Sequence, residues 1–363
     1  MNRNSILKWS SLGLAAVVGI GAMPWLGENG QTAESKDFYE RAQTIISEYD
    51  SSANLSDDRN LRNAERALRY GYTAGIDIEV QEGLPLSVGN LNIGRGKEIG
   101  YFKWHARSPK TNEKTKPRDV MVYLNGFTSH SGWIGPIAEE LVEQGVSIYA
   151  LDRRGSGMNS KHQGRWTDWV NDVYLLVERA KEENPGADIN LASVCFGTKV
   201  ASAYLLEHPD NIDTMISFSP GWEMLANPSG GQKIGMVFGS KRTPNPIQNT
   251  ENYTTDESGL DYVEKDHMRS VAPTTSDFRK AGGLNEYVRR NMVRLPKIPM
   301  LMFLAQKDRI VNVPKTKSLL EKMEESGYDI TTIGFDSGNH TMFLGTESER
   351  RRVVDGILGH INN

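Results

Sequence analysis

The alternation of short apolar runs with amphipathic segments constrains the fold of this chain more than any other feature. The apolar runs are 120–124, 146–151, 189–192, 214–219 and 299–305. Between them, apolar residues recur at helical spacing. Strands that alternate with helices form βαβ units, which produce a mainly parallel sheet. Runs that are apolar at nearly every position suit strands covered by helices on both faces. The sequence therefore predicts an α/β fold with a mostly parallel central sheet flanked by helices.

One long segment, residues 221–294, interrupts this alternation. It is polar, contains Pro and Gly, and shows helical spacing only near 261–269 and 285–293. Because it directly follows a strand, it should lie above the carboxyl ends of the strands, where open α/β sheets bind ligands. We therefore expect a lid insertion at 221–294, which divides the core into residues 97–220 and 295–363.

The N-terminal region precedes this core and has a different character. Arg3 and Lys8 come before an apolar stretch at 12–26, and a polar linker follows it. This order is typical of a signal peptide, and the stretch is shorter than the roughly 20 residues of a membrane span. An ordinary buried helix is the alternative. We expect residues 1–36 to be a signal peptide or N-terminal membrane anchor plus linker, with export to the periplasm or medium, or attachment to a membrane.

Residues 37–96 connect this segment to the core. Apolar residues at helical spacing predict helices near 38–49 and 58–70, and the alternation at 76–80 predicts a first strand. We therefore expect a helical extension and first strand over 37–96.

Charge and cysteine content exclude several classes of function. The 42 basic and 46 acidic side chains give a net charge of -4, so there is no basic excess to attract nucleic acid. Cys195 is the single cysteine, which rules out a disulfide within the chain and a metal site of paired thiolates. Short metal-binding and phosphate-binding motifs are also absent from the sequence. We expect no metal, no cofactor and no nucleic-acid partner.

Cys195 lies where a nucleophile is expected in such a sheet. It follows the run 189–192 and precedes a helix, as in the strand-to-helix turn called the nucleophile elbow. Small residues are needed two positions before and after the nucleophile, and Ser193 and Gly197 meet this requirement. Ser193 is the alternative nucleophile, but Leu191 would then be too bulky. The helix N-terminus would stabilise a thiolate at Cys195, whereas a buried structural cysteine is the non-catalytic alternative.

A histidine and a carboxylate complete the predicted site. His340 follows the last predicted strand, at 329–335, in a loop that can return to the elbow. Asp308 follows the run 299–305, and the chain order of nucleophile, acid and base matches this type of sheet. Asp336 is a rival because it lies only four residues before His340. We expect Cys195, His340 and Asp308 to act as nucleophile, general base and orienting acid.

Two further groups of residues are expected near Cys195. An oxyanion hole needs two backbone N–H groups, and we assign them to Phe196, next to the nucleophile, and to Phe127, after the first parallel strand. Gly126 allows close approach of that loop, although an Asn-Gly turn can also be purely structural. A substrate pocket lined by apolar side chains is also expected, with ordinary core packing as the alternative for its residues: Trp133, Met158, Trp222 and Met224.

Several motifs together resemble a known family. They lie at residues 124–133, 149–157, 193–198, 218–220, 306–308 and 338–340. In order and spacing they are similar to the α/β-hydrolase branch that contains monoacylglycerol lipases, lysophospholipases and serine aminopeptidases (S33). This resemblance implies an α/β-hydrolase fold, a lid over an acyl or lipid pocket, and acyl transfer to water or another nucleophile.

The sequence departs from this family in two motifs. Asn125-Gly126 stands where the family usually has His-Gly. Residues 193–198 (SVCFGT) stand where it usually has Gly-His-Ser-x-Gly-Gly, so Cys195 takes the place of the serine. A cysteine at the elbow is similar to dienelactone hydrolases and polyhydroxyalkanoate synthases. A thioester intermediate at Cys195 would suit transfer to amines, thiols or alcohols as well as to water.

These observations lead to one leading function and several alternatives. The leading hypothesis is an acyl hydrolase (esterase, thioesterase or lipase-like) that forms an acyl-Cys195 intermediate on a small acyl ester, thioester or lipid. The first alternative is an acyltransferase or lactone-forming enzyme with the same three residues. A non-catalytic binding protein of this fold is a further alternative, and a peptidase is another. The N-terminal segment could associate any of these with a membrane.

Overall fold

The computed structural model describes residues 86–108, 110, 114–225, 249–266, 269, 273–337 and 339–362. Among these residues, eight strands form one sheet. The strands are β1 Leu86–Asn92, β2 Glu98–Trp104, β3 Asp119–Leu124, β4 Val146–Leu151, β5 Asp188–Val194, β6 Thr214–Phe218, β7 Met300–Ala305 and β8 Ile330–Phe335. The expected N-terminal segment, the helices near 38–49 and 58–70 and the strand at 76–80 lie outside the described residues.

The sheet has the order β1-β2-β4-β3-β5-β6-β7-β8. Strands β1, β2 and β4 pair antiparallel, whereas every pair from β4 to β8 is parallel. The prediction of a mostly parallel sheet is therefore confirmed. All residues of β3, β4, β6 and β7 are buried, because helices cover both faces of the central sheet.

Strand β1 has no counterpart among the predicted strands. Its sequence, LSVGNLN, contains glycine and two asparagines, which are rare in strands. Pairing with β2 over its full length holds it in place, with Gly89 opposite Tyr101. A Cβ on Gly89 would lie 2.1 Å from the Tyr101 ring, so the tyrosine side chain occupies the space that the missing side chain leaves.

Seven α-helices are present in the described part of the chain. In the core they are α1 Gly135–Glu143, α2 Trp166–Glu183, α3 Gly197–Glu207, α6 Val313–Glu325 and α7 Glu347–Ile361, and between β6 and β7 they are α4 Glu257–Lys265 and α5 Thr275–Asn291. Helices α1, α2 and α3 lie between the apolar runs, where the helical spacing of apolar residues predicts helices. None of these described helices is long and apolar enough to cross a membrane.

The insertion contains helices, but their positions differ from the prediction. Helix α4 begins after Asp256, whose carboxylate accepts a hydrogen bond from the backbone of Gly259. Helix α5 begins after Thr274, which forms a reciprocal capping box with Asp277. The predicted pieces at 261–269 and 285–293 began too late, because apolar spacing alone does not reveal these capping residues.

A buried polar contact attaches the end of α4 to the core. Trp133 Nε1 donates a hydrogen bond of 2.7 Å to Asp266 Oδ2, and His130 Nε2 lies 3.1 Å from Asp266 Oδ1. The side chains of His130 and Asp266 are fully buried. Removing one partner of such a contact leaves the others without compensation for their lost hydration.

Replacing Asp266 with alanine should therefore destabilise the protein. We expect Asp266→Ala to lower the free energy of unfolding by about 3 kcal/mol, measured by urea denaturation of the full chain. Glu286→Gln is the control, because it removes an ion pair that lies on the surface, with Arg289 and Arg290; its unfolding midpoint should match the wild type. Equal midpoints for all three proteins would show that Asp266 does not anchor α4.

Candidate active site

Cys195 occupies a sharp turn between β5 and α3. Its φ angle is +51°, a left-handed conformation that is uncommon for residues other than glycine. The N–H of Cys195 donates to Phe218 O at 2.9 Å, and its carbonyl accepts from Gly221 N at 3.0 Å and Thr198 N at 3.1 Å. The end of β6, the following loop and the first turn of α3 therefore fix the backbone of Cys195.

Two glycines allow the backbone to approach this turn closely. A Cβ on Gly197 would lie 2.5 Å from the carbonyl oxygen of Leu124, and one on Gly221 would lie 2.4 Å from that of Cys195. The end of β3 therefore leaves no room for a side chain at position 197, where a small residue was expected. Ser193, the alternative nucleophile, is a fully buried residue of β5, with its hydroxyl 3.4 Å from Thr198 Oγ1.

His340 contacts both Asp308 and Cys195. Its Nδ1 lies 2.7 Å from Asp308 Oδ2, and the side chain of Cys195 is close enough to act on the charge of the ring. The other oxygen of Asp308 accepts from the backbone N–H groups of Ile310 at 2.7 Å and Val311 at 2.9 Å. Asp336, the rival carboxylate, is exposed. The structure therefore brings Cys195, His340 and Asp308 into one chain of contacts.

The charges in this cluster determine the ionisation of His340. Burial alone would lower its pKa, but the attraction of Asp308 and of Cys195 raises the pKa of His340 to about 10. Burial of Asp308 opposes its ionisation, yet His340 and the two backbone donors hold the pKa of this carboxyl below its usual value. At neutral pH the site therefore contains an imidazolium paired with a carboxylate.

The loop after β3 lies beside Cys195. The position that a Cβ on Gly126 would occupy is 3.8 Å from Cys195 Cβ. Asn125 stabilises this loop, since its Nδ2 donates to Ser129 O at 2.5 Å and to Ser156 Oγ at 2.8 Å. The asparagine that departs from the family pattern thus has a structural function.

The rings of Phe127 and Phe196 meet edge to face across this site, with centroids 5.0 Å apart. Within the described residues, no acceptor takes a hydrogen bond from the backbone N–H of either residue. Both N–H groups therefore have no acceptor among the described residues, and their role in an oxyanion hole remains a prediction.

Arg153 is a residue near the site that the sequence analysis did not identify. It is 7% exposed, and its Nη2 donates to the carbonyl oxygen of Phe127. The guanidinium carbon lies 5.2 Å from the ring centroid of Phe127, 5.1 Å from that of Trp169 and 5.6 Å from that of Phe196. Arg153 therefore touches both residues assigned to the oxyanion hole. Its role depends on contacts between distant segments, which a local motif cannot show.

Tyr253, from the insertion, was also not predicted. Its hydroxyl lies 2.7 Å from Thr128 Oγ1, in the loop after β3. Its carbonyl accepts from Thr341 N at 2.9 Å, and its ring centroid is 6.3 Å from that of His340. Tyr253 thus connects the insertion to two loops of the site. An aromatic residue in a polar segment was the only signal for it in the sequence.

The four residues expected to line the pocket are in different environments. Trp133 is buried against Tyr253 and Tyr262 of the insertion, and Trp222 is buried with its Nε1 bonded to Ser202 on α3. Met158 and Met224 are partly buried against the core. Both tryptophans have structural contacts, so a role in substrate binding remains a prediction. No group of three or more His, Cys, Asp or Glu side chains suited to a metal occurs in the described residues.

The pairing of His340 with Asp308 can be tested by its effect on ionisation. Asp308→Asn removes the carboxylate attraction but keeps the shape of the side chain, so burial should then lower the pKa of His340 from about 10. NMR titration of the imidazole would measure this change. Asp336→Asn is the control, and it should leave the titration unaltered. A larger change in the Asp336 variant than in the Asp308 variant would contradict this assignment.

Comparison with known proteins supports the fold. A monoacylglycerol lipase of Mycolicibacterium smegmatis is 23% identical over 284 residues, which cover 73% of this chain and 93% of the relative. A solved monoglyceride lipase of Saccharomyces cerevisiae has a TM-score of 0.62 at 16% identity and covers 76% of this chain and 94% of its own. The monoacylglycerol lipase of Paleococcus ferrophilus has a TM-score of 0.59 at 18% identity, covering 73% and 100%.

The family model described as serine aminopeptidase, S33 matches residues 115–348. This region contains the strands from β3 to β8 and Cys195, His340 and Asp308. The structural neighbours share the sheet with flanking helices. The chain therefore belongs to the serine aminopeptidase S33 family and has the α/β-hydrolase fold.

Proposed function

We propose that this protein is an acyl hydrolase of the lipase or esterase type that works through a covalent acyl-Cys195 intermediate. The observation that carries the proposal is the chain of contacts from Cys195 through His340 to Asp308 at the carboxyl ends of the strands. The family and the similarity to monoacylglycerol lipases support a hydrolase of this type. The cysteine is the distinctive part of the proposal, since the family is named for a serine.

In the first half-reaction, the sulfur of Cys195 attacks the acyl carbonyl as its anion and forms a C–S bond. His340 is protonated at neutral pH, so it can donate its proton to the leaving oxygen or sulfur as the C–O or C–S bond of the substrate breaks. Asp308 holds Nδ1 of His340, which directs the other ring nitrogen toward the reacting atoms. The products are a thioester on Cys195 and a free alcohol or thiol.

In the second half-reaction, water replaces the leaving group. His340 has lost its proton and now accepts one from the water molecule that attacks the thioester carbonyl. The C–S bond then breaks, the carboxylic acid is released, and Cys195 leaves as its thiolate. The proton taken from water stays on His340, which restores the imidazolium beside Cys195. In both steps the carbonyl oxygen becomes negative, and the N–H groups of Phe127 and Phe196 would stabilise it.

The relatives and the insertion support a lipid ester as the substrate class. Relatives described as monoacylglycerol lipases favour a lipid ester, and the contacts of Tyr253 place part of the insertion next to the site. Export or membrane anchoring through residues 1–36 belongs to the same proposal, because it would bring the enzyme to lipid substrates.

The acyl-enzyme can be trapped to test the nucleophile. Wild-type protein mixed briefly with a 4-nitrophenyl ester and quenched in acid should gain one acyl mass on the peptide that contains Cys195. Neutral hydroxylamine should remove this mass, because thioesters react with it faster than oxygen esters do. Cys195→Ala should gain no acyl mass and lose turnover. Ser193→Ala is the matched control, and it should retain the adduct.

The opposite pattern would refute a cysteine nucleophile. In that case the Cys195→Ala variant would still be acylated, at Ser193, and the Ser193→Ala variant would not. Circular dichroism of both variants would show that the comparison concerns folded proteins.

Arg153 should act as a positioning residue for the oxyanion hole. Arg153→Met keeps much of the packing against Phe127, Trp169 and Phe196 but removes the hydrogen bond to Phe127 O. We expect kcat to fall about 10-fold or more, with KM little changed, because the oxyanion is stabilised mainly in the transition state. Arg153→Lys should recover part of kcat. A loss confined to KM would show that Arg153 contributes to substrate binding instead.

A further inference from the structure

Lys199 is a buried cation beside the nucleophile. It is the third residue of α3, four positions after Cys195, and only 7% of it is exposed. Side chains on a helix lean toward the helix N-terminus, and the charge of Cys195 acts on the Lys199 ammonium group, so this group lies within electrostatic range of the elbow. The segment that follows β6 also packs there, since Gly221 N donates to Cys195 O and Trp222 Nε1 donates to Ser202 on α3.

The ammonium group of Lys199 has no acceptor in the described part of the protein. It forms no hydrogen bond and no ion pair within 4 Å there, and the charges that act on it are those of Cys195 and Glu223. Burial lowers the pKa of Lys199, and Cys195 and Glu223 oppose this effect. Buried charges are normally paired and hydrogen-bonded, so a lysine in this position requires an explanation.

Two neighbouring cations show the usual arrangement. Arg154 forms hydrogen bonds of 2.7 and 2.5 Å with the buried carboxylate of Asp172. Arg153 donates to Phe127 O and contacts three aromatic rings. Lys199 lacks both kinds of partner within the described residues, and the dipole of the helix whose first turn it occupies also attracts anions.

We propose that Lys199 binds an anionic group of the substrate, a carboxylate or a phosphate, so that the enzyme prefers anionic esters over neutral ones. This inference rests on the proposed acyl hydrolysis at Cys195. About one helical turn, roughly 5 Å, separates Lys199 from the elbow. The anionic group would therefore lie only a few bonds from the scissile carbonyl, on either the acyl or the leaving-group side.

Two matched ester pairs test this preference and distinguish the two sides. The mono-4-nitrophenyl ester of adipic acid differs from 4-nitrophenyl hexanoate by a carboxylate on the acyl chain. Oleoylglycerol 3-phosphate differs from 1-oleoylglycerol by a phosphate on the leaving group. The readout is the ratio of kcat/KM for the anionic ester to kcat/KM for the neutral ester, measured with the full chain.

We expect the wild type to prefer the anionic member of at least one pair. Lys199→Met should lower that ratio about 10- to 100-fold, which corresponds to the loss of a charged hydrogen bond. Lys199→Arg should retain the preference. Glu223→Gln should raise the ratio, because a competing negative charge is removed. The pair that responds identifies the anionic group as an acyl carboxylate or a leaving-group phosphate.

Lys199→Met should also change the protein without substrate. It removes the desolvation cost of a largely buried ammonium group, so the thermal unfolding midpoint should rise. Lys199→Gln provides a second variant of similar length for the kinetic comparison. A wild-type ratio near one for both pairs, or a ratio unchanged in both variants, would overturn the proposal. An equal fall of kcat/KM for anionic and neutral esters in Lys199→Met would also overturn it. That result would mean that Lys199 assists the reaction at Cys195 and does not bind an anionic group of the substrate.

Failure of the hydrolase proposal would be visible separately. In that case the wild type would turn over none of the four esters and Cys195 would not be acylated. Calorimetric binding of hexanoate to the wild type and to Lys199→Met would then still test the anion site. Weaker binding to the variant would support the site, and equal affinities would overturn it.

Discussion

The backbone conformation of Cys195 is the constraint on which the rest of the site depends. A left-handed conformation at a residue with a side chain persists only where the surroundings determine it fully. Three hydrogen bonds do so here, to Phe218, Gly221 and Thr198. Gly197 and Gly221 make these contacts possible, because a Cβ at either position would collide with a carbonyl oxygen. The ends of β3, β5 and β6 must therefore pack tightly before any catalytic geometry exists.

Buried charge is the second determinant of the site, and it links chemistry to stability. His340 has a pKa of about 10 in the folded protein, compared with an ordinary value of 6.5. A raised pKa contributes stability that is fully present below pH 6.5 and is lost as the pH rises through 10. Asp308 has a lowered pKa, so its contribution is lost as the pH falls. The pair is therefore most stabilising above the pH at which Asp308 becomes protonated and below the pH at which His340 loses its proton. In that range the imidazolium and the carboxylate coexist.

The sequence was sufficient for the central part of the architecture because most of its elements are determined by a local pattern. Apolar runs predicted the strands β3 to β7, and the position of Cys195 between a strand and a helix predicted its place at the elbow. Strand β1 was missed because its glycine and asparagines weaken the strand pattern, and pairing with β2 compensates. The helices of the insertion were misplaced because their first residues are set by capping side chains, Asp256 and Thr274.

The candidate site was only partly accessible from sequence for a different reason. Cys195, His340 and Asp308 each follow a strand, and the carboxyl ends of parallel strands meet at one edge, so their proximity could be inferred. Arg153 and Tyr253 instead act through contacts between segments that are far apart in the chain. Whether Asp308 or Asp336 contacts His340 also depends on loop geometry, which gives Asp308 the hydrogen bond and leaves Asp336 exposed.

These long-range contacts change the expected role of the insertion. A lid that only covered the pocket would affect which acyl chains bind and leave the chemistry to the core. Here Tyr253 contacts the loops that carry Thr128 and His340. The ring of Phe278 on α5 packs against that of Phe127, with their centroids 5.4 Å apart. The insertion thus contacts His340, the proposed general base, and Phe127, which is assigned to the oxyanion hole. Movement of the insertion would alter the geometry of the proposed reacting groups as well as substrate access, and these aromatic contacts would then couple substrate binding to the chemistry.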